Sequence, residues 1–379
     1  MKPGKYRFLR LRGTPIERGR QYGQACRVEI AHSIASYSAM FESFLGLTWD
    51  QARQRISRYL PYAENFSPKA LEEIEGIAQG AGISFEDMFT LNCRSEIVME
   101  QRVDGCTAFG VSPRVSGDGK SYLCQNWDWI RRQRKAKVII QLEQPPEPTL
   151  LMVAEAGILA GKGLNSEGIG MVANALSTGC CEPGVPVHFL LRKVLESPTL
   201  SDAVESVAVA RRANCVNFLL GTHEGDFLDI EAAPEDFGVL TREEGGFLCH
   251  TNHFLAPNLV CRVRDYGKVI LPDTFQRLGR IRDLIRERAG QVDLAACREF
   301  LSDHRNAPDS ICRHEDEHDP EGKRLGSVYG VILDLAGRVL WISDGNPCQG
   351  RFFPYTFLTE ESLAPEVTNG LKNFTNGVE

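Results

Sequence analysis

The chain has 379 residues, 42% of them hydrophobic and 25% charged, an ordinary soluble globular composition that excludes long disorder and fibrous repeats. Its 43 Lys and Arg against 50 Asp and Glu leave a net charge of −7, so no basic footprint argues for nucleic acid. No apolar run approaches the roughly 18 residues that cross a bilayer, and no membrane partner is expected.

The N-terminal Met1–Pro15 is basic but lacks a continuous apolar stretch. We expect no secretory leader, a cytoplasmic location and reduced cysteines. From about residue 24 to 98 the pattern is helical. Ile30, Ile34, Tyr37, Phe41 and Leu45 recur at helical spacing, as do Leu71, Ile74 and Ile77. Ser84, with Asp87 three residues on, predicts the N-cap of a helix carrying Met88, Phe89 and Leu91.

Beyond about residue 104 the texture changes to short β-rich runs punctuated by Gly, Asp and Pro. Strands are predicted over 107–111, 121–130, 137–142, 149–154, 170–175, 215–221, 227–232, 247–250, 327–334 and 338–343. A turn at 115–120 makes a hairpin of the first two. Two helical blocks interrupt the strands, 187–209 with a break at Pro198, and 274–289. Strands with helices in separate blocks predict an α+β fold of sheets covered by helices.

Several motifs fail on inspection. His314-Glu315-Asp316-Glu317-His318 matches H-E-x-x-H, but that chemistry needs an apolar-backed helix with both imidazoles on one face. Three acids within the motif and Pro320 after it predict a surface loop, and no metal is assigned. The run Gly157–Lys162 is one residue short of a phosphate loop and is better read as a tight turn. Cys180-Cys181 reads as packing, and His250 and His253 lack a third ligand nearby.

Asp104-Gly105-Cys106-Thr107, at the boundary from helix to strand, is different. If the bond before Cys106 broke, one residue would carry both a thiol and an α-amine. That amine ordinarily titrates near 7.7–8.0, so it can serve as a base for the sulfur. Gly105 suits the self-cleavage required, because glycine leaves its carbonyl unshielded and tolerates strain. The following hairpin returns Gln125-Asn126-Trp127-Asp128 beside the strand start. Asp128 is the candidate to orient the new amine, and Asn252 the candidate amide donor to an oxyanion.

These residues resemble the acyl-coenzyme A:6-aminopenicillanate acyltransferase (isopenicillin N acyltransferase) family of autoproteolytic N-terminal-nucleophile (Ntn) hydrolases. The resemblance runs from about residue 10 to 350. Its landmarks are 13–19, 73–80, Leu91-Asn92-Cys93-Arg94-Ser95-Glu96, Asp104–Thr107, Gln125–Asp128, Glu155-Ala156-Gly157, His250–His253 and Ser310-Ile311-Cys312-Arg313.

The resemblance implies a four-layer αββα sandwich. It implies cleavage between Gly105 and Cys106 into a helical segment, 1–105, that stays packed on a catalytic chain, 106–379, as an α/β heterodimer. It makes Cys106 nucleophile, Asp128 its electrostatic partner and Asn252 the oxyanion donor. Asn174, Arg94, Ser310 and Arg313 become candidate substrate-binding or precursor-positioning residues. The substrate implied is a small acylated amine or an acyl thioester such as a coenzyme A ester, with no bound cofactor. Bile-salt or N-acylethanolamine amidase activity, or a non-catalytic binding role, would fit the same scaffold. Two features depart from the fungal members. Arg324 follows Gly322-Lys323 where they have serine, which bears on acyl transfer, and the ending Thr375–Glu379 lacks a peroxisomal address.

Overall fold

The computed structural model describes residues 5–99, 105–320 and 324–359. Asp104, Gly322-Lys323 and the chain ending at 375–379 lie outside the described residues. In chain order the chain forms β1 (Phe8–Leu11), then α1 (Pro15–Ala25), α2 (Arg27–Leu45), α3 (Trp49–Ile56), α4 (Leu60–Phe66), α5 (Pro68–Ala81), α6 (Phe85–Asn92) and α7 (Arg94–Val98). Strands β2 (Gly105–Val111), β3 (Tyr122–Ile130), β4 (Lys137–Leu142), β5 (Leu150–Glu155), β6 (Lys162–Asn165) and β7 (Gly170–Ala175) follow. After α8 (Val187–Leu195) and α9 (Leu200–Ala208) come β8 (Val216–Gly221), β9 (Phe227–Ala232), β10 (Phe237–Thr241) and β11 (Phe247–His250). The remainder is α10 (Pro257–Val260), α11 (Gly267–Ile270), α12 (Thr274–Glu287), α13 (Leu294–Leu301), β12 (Leu325–Asp334), β13 (Val339–Ser343) and β14 (Phe352–Thr356).

The strands make an eight-stranded sheet, β1-β4-β5-β6-β7-β8-β9-β10, and a six-stranded sheet, β11-β2-β3-β12-β13-β14. Their inner faces meet. Gln125 of β3 donates to the Ala173 carbonyl of β7, and a Cβ on Gly110 of β2 would collide with the Phe227 ring of β9. Helices α12 and α13 cover the outer face of β2 and β3, where Phe109 and Phe300 meet edge to face. Helices α8 and α9 cover the other sheet, joined by the N-terminal helices through Phe89 against Phe189. The sheets covered by helices that the pattern predicts, in the αββα order that the resemblance implies, are therefore present.

Local chemistry explains the well-anticipated elements. Ser84 caps α6 by accepting from the Asp87 amide, and Thr199 restarts the helix as the cap of α9 just after the break at Pro198. Strands β1, β6, β10 and β14 and helix α13 were not anticipated. They are short, and β1, which breaks its apolar pattern with Arg10, finds its partner only across the chain, parallel to β4.

The N-terminal segment thus adds a strand to a sheet of the later chain and shares its main core. A buried ion cluster strengthens the link. Glu73 of α5 accepts from Arg18 of α1 and from two nitrogens of Arg192 of α8. Glycine lets α1 approach α5 closely, because a Cβ on Gly19 would lie 2.2 Å from the Glu73 carbonyl oxygen. Among the described residues no helix is long and apolar enough to cross a membrane, and no disulfide forms.

Candidate active site

Strand register places the chemistry. Antiparallel pairing sets Gly105 opposite Asp128 and Cys106 opposite Trp127. Directly paired residues share a face, so Cys106 and Trp127 point between the sheets while Gly105 and Asp128 face α12 and the 303–316 segment. Trp127 lines a cavity of about 40 Å³ between the sheets, with Arg94, Lys162, Asn174, His188 and Tyr329 among its other walls. Cys106 is completely buried.

The peptide unit around Cys106 is gripped on both sides. Its N–H donates to Asn252 Oδ1 at 2.9 Å, and its carbonyl accepts from Arg277 Nη1 at 2.5 Å. Arg277 also donates to Thr107 Oγ1 at 3.1 Å and, through Nη2, to Asn252 Oδ1 at 3.0 Å. A guanidinium can only donate, so the Asn252 atom facing Cys106 is the oxygen. Its Nδ2 points away, to the Ala175 carbonyl at 3.1 Å. The sequence reading assigned Asn252 an amide donor for an oxyanion. In this uncleaved arrangement the residue is in place, but it presents an acceptor to Cys106.

Asp128 lies on the other side of the junction. Its Oδ1 accepts from Ser327 Oγ at 2.6 Å, an alignment helped by a bulge in β12 between Ser327 and Tyr329. Among the described residues Oδ2 has no hydrogen-bond donor, and Arg313 Nε stands 3.5 Å away. Burial pushes the Asp128 carboxyl above its usual range, although Arg313 and Arg277 pull it down. A Cβ on Gly105 would sit 3.0 Å from both Asp128 Cβ and Oδ2. Glycine at this position lets a carboxylate close on the backbone.

Beneath them runs an alternating chain of charges. Asp273 accepts from Arg277 Nε at 2.6 Å and from Arg313, which also pairs with Asp309. Burial alone would raise the Asp273 carboxyl, and the two arginines outweigh it and hold it low. The guanidinium of Arg313 is thus engaged by carboxylates of the chain itself, beside Asp128.

The other candidates separate. Asn174 reaches the cavity and lies near the junction, its Nδ2 3.5 Å from the His250 carbonyl and its Oδ1 3.4 Å from Asn217 Nδ2. Arg94 lines the same cavity while pairing with Glu155 at 2.6 Å. Ser310 gives its hydroxyl to the Cys312 carbonyl at 2.7 Å and holds a loop.

His250 donates from Nδ1 to the Thr251 carbonyl at 2.8 Å, and its Nε2 meets Glu231 at 2.7 Å. Burial opposes its charge, but Asp229 and Glu231 prevail and raise its pKa. Both ring nitrogens of His250 are thus taken up by partners of the fold itself. His314 and His318 share no helix. His318 is exposed on Asp316, whereas His314 converges with His304, Cys312 and Cys348, the group best suited to hold a metal among the described residues.

Arg277 and Asp273 escaped the sequence reading. The available signal was position, since Arg277 lies within the buried stripe of α12 formed by Thr274, Leu278, Ile281 and Ile285.

The chain is similar to known proteins over most of its length. The profile of the family described as acyl-coenzyme A:6-aminopenicillanic acid acyl-transferase matches residues 115–349. An acyl-coenzyme A:6-aminopenicillanic-acid-acyltransferase 40 kDa form from Emericella nidulans is 30% identical over 341 residues, 88% of this chain and 91% of that one. Among solved structures, a variant of conjugated bile acid hydrolase from Clostridium perfringens aligns at 13% identity and TM-score 0.46, covering 67% of this chain and 97% of that one. Penicillin V acylase from Agrobacterium tumefaciens aligns at 12% identity and TM-score 0.43, covering 66% and 86%.

Proposed function

The chain belongs to the acyl-coenzyme A:6-aminopenicillanic acid acyltransferase family and is an enzyme of the acyltransferase and amidase type; from that premise we propose that it cleaves itself before Cys106 and then works through that cysteine. The observation that carries the proposal is the buried Asp128 Oδ2, without a hydrogen-bond donor among the described residues, pressed against the Gly105–Cys106 junction. A buried carboxylate oxygen with no donor is costly, and an α-ammonium formed at Cys106 would supply a donor and a positive charge in addition to that of Arg313, 3.5 Å away.

In the maturation step Cys106 Sγ attacks the Gly105 carbonyl carbon. The C–N bond breaks, the nitrogen takes a proton, and a thioester links the two segments. Water hydrolyses it to a Gly105 carboxylate, a free thiol and an α-amine. The Arg277 bonds to the Cys106 carbonyl and Thr107 survive this step, because neither acceptor belongs to the broken bond. They hold the new chain end in place. Strand β1, the shared core and the Glu73 cluster keep segment 1–105 attached to 106–379.

In turnover the α-amine takes the thiol proton as Cys106 Sγ attacks an acyl carbon, and the α-ammonium returns it to the leaving amine or thiolate. Asp128 stabilises the ammonium in its charged form. Asn252 accepts from Cys106 N–H before cleavage; to offer Nδ2 to the oxyanion afterwards it must exchange its bonds with Arg277 and the Ala175 carbonyl. The acyl donor is an amide or a thioester of coenzyme A type, and the acceptor is an amine or water. No bound cofactor enters this reading.

Intact-mass measurement with and without a thiol-directed acylating probe tests it. Two chains are expected, with the probe on the one that begins at Cys106. A single unbroken chain that still turns over acylated amines would refute the scheme.

A further inference from the structure

We propose that His304, Cys312, His314 and Cys348 form a structural zinc site. One ligand atom from each falls within 4.8 Å of all the others. A tetrahedral zinc with bonds of about 2.3 Å to sulfur and about 2.0–2.1 Å to nitrogen requires nitrogen pairs about 3.3 Å apart and nitrogen–sulfur pairs about 3.6 Å apart. His304 Nε2 and His314 Nε2 are 3.1 Å apart, and His314 Nε2 lies 3.5 Å from Cys348 Sγ and 3.9 Å from Cys312 Sγ. These three separations are close to the tetrahedral values, and the other pairs lie within 4.8 Å.

The donor set selects the metal. Two thiolates and two neutral imidazoles suit zinc and leave the complex neutral. The outer contacts also fit. Asn346 Nδ2 lies 3.9 Å from Cys312 Sγ, within reach of a weak N–H···S contact, and donates to the Arg313 carbonyl at 2.9 Å, the kind of support that orients a metal thiolate.

The location gives the site a use. Arg313 is tied to Ser327 by two hydrogen bonds, Ser327 N to Arg313 O at 2.9 Å and Arg313 N to Ser327 Oγ at 3.0 Å. Cys312 and His314 flank it and turn together to the cluster, while Arg313 turns to Asp128 and Asp273. His304 comes from the segment after α13, and Cys348 from the turn between β13 and β14. A zinc here would pin three separate segments and fix the stretch that aims Arg313 at Asp128.

The test uses full-length protein made under reducing conditions with zinc supplied. Metal content and free thiols are measured for the native chain and for Cys106→Ala, Cys348→Ser and His304→Ala. One zinc per chain is expected in the first two, removal by a strong chelator with a fall in Tm, and loss of retained zinc in the last two. Cobalt in place of zinc should give the visible spectrum of a tetrahedral thiolate site in the native chain and in Cys106→Ala, but not in Cys348→Ser or His304→Ala. Folded native protein that retains no zinc, equal retention by Cys348→Ser, or a Cys312–Cys348 disulfide in the freshly purified chain would each overturn the assignment. The Cys106→Ala arm keeps this result independent of whether the chain cleaves itself.

Discussion

Two buried carboxylates in this molecule each stand among arginines, and they end in opposite states. Glu73 is fully served, with Arg18 and Arg192 donating to both of its oxygens. Burial alone would raise its carboxyl, yet the two arginines win and hold it below the ordinary range. Asp128 has one oxygen bonded to Ser327 and the other, among the described residues, without a donor, and burial wins. The first is a rivet between the N-terminal helices and α8. On the proposed scheme the second awaits the ammonium that cleavage would make, since a buried polar atom without a partner calls for an explanation.

The largest effect should come from removing the source of that charge. Cys106→Ala should leave one full-length chain by intact mass and abolish turnover of any acyl donor. Next, Asp128→Asn should slow cleavage and turnover by about 10²–10⁴-fold, the usual worth of a positioned acid–base partner. In the Cys106→Ala background the same change should cost less stability by denaturant titration than Glu73→Gln, because Ser327 stays bonded and Oδ2 has no hydrogen-bond donor among the described residues. Comparable loss of stability from Asp128→Asn and Glu73→Gln would erase the contrast.

Glu73→Gln should act on stability alone. Removing one member of a buried ion cluster costs about 3–5 kcal/mol, so Tm should fall while the folded fraction still cleaves normally. The two sites should also respond to pH with opposite sign. Glu73 has a lowered folded pKa, so its contribution is present above the ordinary value of 4.5 and is lost as pH falls through and below it. Asp128 has a raised folded pKa, so its contribution is fully present below 3.8 and is lost as pH rises through the folded value. Tm against pH for Cys106→Ala, alone and with each second substitution, reads both slopes. The smallest change is Gly105→Ala. Its methyl must displace Asp128 by a few tenths of an ångström, a strain of about 1–3 kcal/mol, and cleavage should slow by roughly tenfold or more without changing the final chains.

Much of this was legible along the chain. Strand β2 begins one residue from Cys106, and β3 returns Asp128 to its side, because a short hairpin fixes register locally. Helices α6 and α9 start at side-chain caps that a sequence shows directly. Arg313 was picked out for substrate or precursor binding, but sequence does not show that Asp273 and Asp309 occupy its guanidinium. The H-E-x-x-H motif pointed to His318, yet His314 meets residues from the segment after α13 and from the turn beyond β13.

The sequence by itself determined the alternation of helices and strands, the polar and apolar faces, and a cysteine set at the head of a strand. These depend on residues a few positions apart, where spacing and turn chemistry act. Only the tertiary structure decided which carboxylate would be satisfied and which left open, which atom of Asn252 faces Cys106, and which histidine meets His304 and Cys348. Each of those outcomes depends on burial and on partners brought from far along the chain. The energy of a buried charge is set by its surroundings rather than by its neighbours in sequence.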